Sequence, residues 1–196
     1  MPDLNNFQRN IVLCGVGGQG TVLASRLISA AAMAKGLPVC SAETIGMAQR
    51  GGSVFSHLRI GDNIYSPMIA QGTADLILAF EPGEAVRMLP YLAPDGQIVV
   101  SDRAVMPVTA TLTGSNYNGA EMIDYLLANC PRVSVIHTEE AIAAVGSAKV
   151  LNLIMLGAAA KTGALGFTKE EIREQIKEKI NPRFHELNFK ALEYAG

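Results

Sequence analysis

The chain has 196 residues, of which 49% are hydrophobic and 17% are charged, and its formal net charge is −2. This length and composition are typical of one packed globular domain over residues 1–196, and they exclude a disordered or fibrous chain. The small negative charge gives no broad positive surface, so we expect no nucleic acid among its partners.

The first part of the chain has the pattern of a strand, a glycine-rich turn and a helix, followed by further strands. Apolar runs that end at glycines or polar residues predict strands, and an Ala- and Leu-rich segment that closes at a glycine predicts a helix. In chain order we predict a strand, a glycine turn, a helix and three more strands at residues 10–15, 15–20, 21–35, 39–43, 53–60 and 64–69. The last two strands are joined by Gly61-Asp62-Asn63, which predicts a hairpin turn.

The second part alternates strands and helices and then becomes wholly helical. We predict strands at residues 75–80, 97–101 and 133–137, and helices at residues 83–92, 120–129, 139–160, 168–180 and 182–196. Thr168 and Glu171 have the spacing of a capping box at the start of a charged helix. This alternation predicts an α/β, Rossmann-like fold: a mostly parallel sheet with helices on both faces, a hairpin after the third strand and a helical C-terminal region.

We expect neither export nor membrane insertion. Residues 1–10 are polar and lack the apolar centre of a cleaved secretory signal. The longest apolar runs, residues 27–34 and 150–160, are shorter than a membrane span and end at lysines. The sequence therefore predicts a cytoplasmic protein with no membrane partner.

The glycine turn, residues 15–20, fits the pattern G-x-G-x-x-G and lies directly between a predicted strand and a predicted helix. Glycines there allow close backbone approach, and the free N–H groups at the start of the helix attract an anion such as a phosphate. Glu43 ends the second predicted strand, where a dinucleotide-binding fold keeps an acid for a ribose hydroxyl. Three interpretations stay open: dinucleotide binding, an anion on a partner's cofactor, or glycines that only let the helix pack closely.

The arginine loop, residues 44–52, contains Gln49 and Arg50 followed by Gly51 and Gly52. A guanidinium beside a flexible backbone can bind a carboxylate or phosphate, with glycine N–H groups as further donors. The loop follows the end of a strand, where open sheets bind their ligands. We therefore favour a binding loop over a surface loop with one solvated arginine.

Other polar residues give weaker signals. Glu81 and the pair Ser101-Asp102 follow predicted strands and could face the same crevice, although a helix cap or solvated turn is the ordinary explanation. The histidines lie on different elements without metal-ligand spacing, so we predict no metal site: they are His57, His137 and His185. The cysteines are too few for the four thiolates of a cubane iron–sulfur cluster: they are Cys14, Cys40 and Cys130.

Three stretches of the sequence resemble the gamma subunits of 2-oxoacid:ferredoxin oxidoreductases. They are the glycine turn, the run Ser41-Ala-Glu43 leading into Gly46-Met-Ala-Gln-Arg-Gly-Gly-Ser-Val54, and Ala74-Asp75 before a strand that ends in Glu81-Pro82. Within that family, the Gly-Met-Ala-Gln-Arg-Gly-Gly-Ser run is most similar to the beta subunit of indolepyruvate oxidoreductase. Segments 149–157 and 186–191 are also similar, so the resemblance covers nearly the whole chain.

The resemblance implies a subunit that is inactive alone and completes the active site of a larger partner. The partner would carry thiamine diphosphate, Mg²⁺ and iron–sulfur clusters, while this chain binds no cofactor by itself and closes part of the shared active site or coenzyme A pocket. The complex would decarboxylate a 2-oxoacid oxidatively, form an acyl-CoA and reduce ferredoxin. Carried over by position, the family's binding loops fall on Gly15, Gly17, Gly18, Gln19, Gly20, Gln49, Arg50, Gly51 and Gly52.

Arg50 is the candidate catalytic residue, because a guanidinium can stabilise anionic groups of the substrate or of coenzyme A. Two other functions stay open: a free-standing NAD(P)-dependent dehydrogenase that uses the glycine turn and Glu43, and a nucleotide-binding regulatory module. The dehydrogenase would lack an evident acid or base for hydride transfer. We expect a hetero-oligomer, with a homodimer as the alternative for the isolated chain.

Overall fold

The computed structural model describes residues 7–44, 51–107 and 116–194. The described residues form one sheet of six strands: β1 Arg9–Val16, β2 Val39–Glu43, β3 Ser53–Ile60, β4 Ala74–Ala79, β5 Leu92–Ser101 and β6 Val133–Ile136. They also form seven α-helices: α1 Thr21–Ala34, α2 Pro82–Met88, α3 Gly119–Asn129, α4 Thr138–Val145, α5 Leu151–Lys161, α6 Lys169–Lys179 and α7 His185–Glu193. Short 3₁₀ helices lie at Leu89–Tyr91, Ala148–Val150 and Pro182–Phe184.

The sheet is mixed but mostly parallel, with the strand order β2-β3-β1-β4-β5-β6. Strands β1, β4, β5 and β6 pair in parallel, whereas β3 runs antiparallel to both of its neighbours, β1 and β2. Residues 44–52 between β2 and β3 are fewer than the roughly dozen that a parallel crossover needs, so β3 must run back. It therefore starts at the edge where β1 ends, and Ser53 lies opposite Val16. The predicted α/β sheet is confirmed.

Helices cover both faces of the sheet, as predicted. On β1, Ile11 and Leu13 pack into the core that the sheet forms with α1, α5, α6 and α7, whereas Val12 and Cys14 belong to the core with α2 and α3. All four side chains are fully buried. A strand buried on both faces has no polar side, which explains the continuous apolar run at the start of the sequence.

The structure corrects one part of the predicted fold, the hairpin after β3. Residues 64–69 form no strand, because both edges of β3 are already paired with β1 and β2. Ile69 is instead buried, and its N–H donates to Nδ1 of His57 at 3.0 Å. The Gly61-Asp62-Asn63 signal is local, and it carries no information about which strand edges are free.

The C-terminal region is helical, as predicted, but the segment expected as one helix over residues 139–160 is broken. Helix α4 and the following helical segment 148–161 are bent by 113° relative to each other. Helix α6 begins with the predicted capping box, in which Thr168 and Glu171 bond to each other's backbone N–H. Within the described ranges no single helix is long and apolar enough to cross a membrane. The bent pair reaches the length and apolar content of a membrane span only when its two helices are counted together.

Candidate functional site

The glycine turn and the end of the arginine loop meet at the carboxyl edge of β1. The N–H of Gly17 donates to the carbonyl oxygen of Gly52 at 2.9 Å, and the N–H of Gly51 lies 3.5 Å from the carbonyl oxygen of Gly17. These contacts continue the antiparallel pairing of β1 with β3 beyond the Val16–Ser53 pair. Two segments 35 residues apart in the sequence, from Gly17 to Gly52, thus become adjacent.

The glycines of the turn are needed for two different reasons. A Cβ on Gly15 would lie 2.6 Å from Oε1 of Gln19, and a Cβ on Gly20 would lie 2.9 Å from Nδ2 of Asn152 in α5. At Gly18 a Cβ would meet nothing within 4 Å, but the φ of +101° strains any other residue. Close contact with the Gln19 side chain therefore explains Gly15, and close packing against α5 explains Gly20, while Gly18 leaves open space beside the turn.

Gln19 locks the turn to the neighbouring strand. Its Oε1 accepts the N–H of Val16 at 2.7 Å, and its Nε2 donates to the carbonyl oxygen of Phe80 at 2.9 Å. Both ends of the side-chain amide are engaged within the protein. These bonds shape the turn, and the binding role that the sequence predicts for Gln19 stays a prediction.

A cavity of about 430 Å³ lies beside the turn. Its wall combines the turn, the start of α1, the end of β2 and the start of β3: Gly17, Gly18, Gly20, Thr21, Val22, Glu43, Thr44, Val54, Phe55 and Ser56. Helix α1 has Gly20 as N-cap, with no side-chain cap and no acidic residue in its first turn. The cavity thus offers main-chain donors, one carboxylate and an apolar wall, a combination suited to a ligand with both an anionic group and hydroxyls.

Glu81 caps α2 instead of facing the cavity. It is 3% exposed, and its Oε2 accepts the N–H of Glu84 at 2.9 Å. Its Oε1 accepts the N–H of Val105 at 3.3 Å and the hydroxyl of Tyr117. Burial, followed by the interaction with Glu81, raises the pKa of the Tyr117 phenol. The ordinary explanation for a polar residue after a strand, a helix cap, holds here.

Glu84 is a buried acid that the sequence analysis missed. Its Oε2 accepts the hydroxyl of Ser53 at 2.5 Å and lies 3.4 Å from Nε of Arg87. The negative charge of Glu84 also affects Cys14. Burial raises the pKa of the Cys14 thiol well above the ordinary value, and the charges of Glu84 and Glu81 raise it further. No local pattern joins Ser53 to Glu84, because the contact spans 31 residues and depends on strand order.

Ser101 and Asp102 also serve a helix end. Oδ1 of Asp102 accepts the N–H of Thr138 at 2.9 Å, and the hydroxyls of Ser101 and Thr138 lie 2.6 Å apart. Nδ1 of His137 lies 3.1 Å from Oδ2 of Asp102. These residues hold the start of α4 against β5, and Asp102 and His137 line a different depression from the turn cavity.

The described residues contain no group of three or more His, Cys, Asp or Glu side chains placed to hold a metal ion. The cysteines lie on three separate elements, in β1, in β2 and after α3, so this donor set does not suit an iron–sulfur cluster. Gln49 and Arg50 lie outside the described residues, and their roles stay predictions.

Comparison with known proteins identifies relatives along most of the chain. Residues 10–196 match the pyruvate ferredoxin/flavodoxin oxidoreductase family. The indolepyruvate oxidoreductase subunit IorB of Archaeoglobus fulgidus is 39% identical over 184 residues, which covers 93% of this chain and 91% of the relative.

Solved structures of related enzymes have the same fold. The gamma subunit of keto/oxoacid ferredoxin oxidoreductase from Geobacter sulfurreducens has a TM-score of 0.66 at 25% identity, over 94% of both chains. The 2-oxoglutarate:ferredoxin oxidoreductase from Magnetococcus marinus, with 2-oxoglutarate, coenzyme A and succinyl-CoA bound, has a TM-score of 0.64 at 20% identity, and the match covers 95% of this chain but 30% of that longer chain. The resemblance seen in the sequence is confirmed. The chain belongs to the pyruvate ferredoxin/flavodoxin oxidoreductase family and is of the gamma-subunit type.

Proposed function

We propose that this chain completes the active site of a 2-oxoacid:ferredoxin oxidoreductase by binding part of coenzyme A or of the 2-oxoacid in the cavity beside the glycine turn. The observation that carries the proposal is the junction of the turn with the arginine loop, through the contacts of Gly17 with Gly51 and Gly52. The junction brings Gly51 and Gly52, the end of the arginine loop, to the glycine turn at the carboxyl edge of the sheet, where open α/β folds bind ligands. Family membership supports the reaction class.

A larger partner subunit holds the remaining cofactors in this proposal. The Archaeoglobus fulgidus relative is named a subunit, and in the Magnetococcus marinus protein the matching segment is 30% of a longer chain. Among the residues that the structure describes, the donor set suits neither an iron–sulfur cluster nor Mg²⁺. On the partner, thiamine diphosphate would supply the electron sink for decarboxylation and iron–sulfur clusters the path for electrons to ferredoxin.

In this proposal the residues of this chain bind and orient part of coenzyme A or of the 2-oxoacid. Main-chain N–H groups of the turn and of the first turn of α1 hold an anionic group, such as the pyrophosphate of coenzyme A. Glu43 accepts a hydroxyl of the same ligand, and its negative charge keeps the anionic group at the opposite end of the cavity. Phe55 gives an apolar wall, and Arg50 pairs with a carboxylate or phosphate, as the sequence predicts.

A free-standing NAD(P)-dependent enzyme is the second candidate, because Glu43 lines the same cavity as the glycine turn. In the usual dinucleotide-binding order, however, the strand that ends in this acid lies directly beside the first strand. Here the antiparallel β3 separates β2 from β1. The strand order therefore favours the subunit function over a dinucleotide site.

The test is to purify the chain alone and together with the partner that co-purifies from its native cell. The assay measures 2-oxoacid-dependent reduction of a viologen dye, with and without coenzyme A. We expect turnover only for the complex. Tight NAD(P) binding and turnover by the isolated chain would contradict the proposal.

A matched pair of glycine variants localises the site. We expect Gly18→Ala to raise the KM for coenzyme A, because the strained turn moves its N–H donors. Gly146→Ala is the control, since Gly146 has a similar φ of +95°, equally open surroundings and no place in the cavity wall. An equal effect of both variants on KM would show that the turn does not bind coenzyme A.

The substrate class follows the relatives. Because the Archaeoglobus fulgidus relative is an indolepyruvate oxidoreductase subunit, we propose an aryl 2-oxoacid such as indolepyruvate as the substrate of the complex. Comparing kcat/KM of the complex for indolepyruvate, 2-oxoisovalerate and pyruvate tests this choice. A higher kcat/KM for pyruvate would overturn the aryl preference and leave the reaction type intact.

A further inference from the structure

We infer that Glu84 is a positioning residue, which holds the Gly51–Gly52 backbone against the glycine turn and thereby sets the KM for coenzyme A. The inference rests on the proposed function of the turn cavity and extends it to a residue outside that cavity. Glu84 does not line the cavity and acts through Ser53.

The backbone of Glu84, from which its carboxylate extends, is held in place at the start of α2. Glu84 is in the first turn of α2, and its N–H is held by Oε2 of the N-cap residue Glu81. Glu81 is itself held by Val105 and Tyr117, and the Tyr117 hydroxyl also accepts the N–H of Gly83 at 2.9 Å. One buried contact and three partly buried contacts therefore fix the start of this helix, from which the Glu84 side chain extends toward β3.

From this position the Glu84 side chain reaches Ser53, the first residue of β3, which directly follows the arginine loop. The hydroxyl of Ser53 donates to Oε2 of Glu84 at 2.5 Å, the short distance typical of a hydrogen bond to a carboxylate. The Glu84 side chain is 10% exposed, whereas Ser53 is exposed, so the bond is shielded from solvent mainly on the Glu84 side. Arg87 contributes less, because its side chain is 64% exposed and lies at 3.4 Å.

The anchored residue directly follows the glycine pair. The Gly52 carbonyl, one residue before Ser53, accepts the N–H of Gly17. Two consecutive glycines have wide conformational freedom, and they lose more entropy on ordering than other residues do. An anchor at Ser53 restricts that freedom before a ligand binds, so a bound ligand does not have to order Gly51 and Gly52 itself.

The first test measures amide hydrogen exchange by NMR in the isolated chain, comparing wild type with Glu84→Gln and Ser53→Ala. We expect exchange of the Gly17 and Gly51 amides to accelerate about tenfold in each variant, the factor expected for one charge-assisted hydrogen bond. The double variant should show no further acceleration over Ser53→Ala, because both changes act on the same bond. Ser53→Ala keeps the test available if Glu84→Gln does not fold.

The matched control is Glu174→Gln. Glu174 bonds Lys177 three residues later at 2.5 Å, but its side chain is 61% exposed and lies in α6. We expect the hydrogen-exchange rates of the Gly17 and Gly51 amides to be unchanged in this variant. If Glu84→Gln and the control give the same exchange at these amides, or if Glu84→Gln accelerates every amide of β1 and β3 equally, the inference is overturned.

The second test uses the assembled complex. We expect Glu84→Gln to raise the KM for coenzyme A about tenfold with a smaller change in kcat, and Glu84→Asp to recover part of the loss. An unchanged KM beside accelerated exchange would overturn the link to coenzyme A. A wild-type complex that does not need coenzyme A would instead overturn the proposed function, while the exchange comparison would still decide whether Glu84 holds the loop.

Discussion

The backbone N–H of Gly17 donates a hydrogen bond to the carbonyl oxygen of Gly52 at 2.9 Å. The bond joins the turn after β1 to the residue before β3. Gly17 lines the cavity of the proposed binding site, so the bond holds that part of the cavity wall in place. It exists because β3 runs antiparallel to β1 and begins where β1 ends.

Replacing Arg50 by Ala should lower kcat of the assembled complex roughly 100-fold, because preorganised donors aimed at developing charge contribute at about that level. The free energy of unfolding should change by less than about 0.5 kcal/mol, as for most surface-loop substitutions. Viologen reduction and urea denaturation measure the two effects. Arg132→Ala, at an exposed arginine before β6, is the control and should leave both quantities unchanged. A large loss of stability in Arg50→Ala would show that the arginine is structural.

Gly20→Ala should destabilise the fold more than Gly146→Ala does. Both glycines have positive φ, so each substitution costs about 1 to 2 kcal/mol in backbone strain. At Gly20 the added Cβ would also lie 2.9 Å from Nδ2 of Asn152, which adds about 1 to 3 kcal/mol of overpacking. Urea denaturation measures the difference, and Asn152→Ala in the Gly20→Ala background should recover part of it. Equal losses at Gly20 and Gly146 would show that α5 can move away from the turn.

The Tyr117 hydroxyl should be structural. Tyr117→Phe removes the donor to Glu81 and the acceptor of the Gly83 N–H, which should cost about 1 to 3 kcal/mol of stability. Tyr125→Phe, at a tyrosine that is 50% exposed, should cost almost nothing. Because the pKa of Tyr117 is raised, its phenolate should also form at higher pH than that of an ordinary tyrosine. Ultraviolet titration of the wild type and Tyr117→Phe can check the order of ionisation.

Stability should fall on mild acidification because of His57. Burial lowers the pKa of this histidine from its ordinary value of 6.5. Below pH 6.5 the unfolded chain therefore binds a proton at His57 that the folded chain does not bind, and the free energy of unfolding decreases until the pH reaches the lowered folded-state pKa. Above pH 6.5 His57 has no such effect. The slope is at most about 1.4 kcal/mol per pH unit for one group.

The measurement for His57 is urea denaturation between pH 7.5 and pH 5. His57→Gln should flatten the pH dependence, whereas His137→Gln, at a histidine whose side chain is 69% exposed, should preserve it. An unchanged slope in His57→Gln would show that other groups cause the effect. The packing of His57 between Phe55 and Tyr91, with its ring buried, is the structural basis of the prediction.

The sequence could predict those elements whose signals are local. The apolar run before the glycine turn, the capping box of Thr168 and Glu171 and the alternation of strands and helices all come from neighbouring residues, and all are confirmed. The motifs around residues 15–20 and 41–54 were enough to identify the family, because their residue order is specific over a short stretch. The roles of Gln49 and Arg50 stay predictions.

Tertiary structure alone decided how these elements meet. The hairpin expected after β3 does not form because β1 and β2 occupy both edges of that strand. The same placement brings Gly52 to Gly17 and Ser53 to Glu84, pairs that are far apart in the chain. Local sequence fixes backbone preferences within a few residues, whereas strand order depends on how the whole apolar surface is buried. The proposed binding site therefore exists only once β3 is paired between its two neighbours.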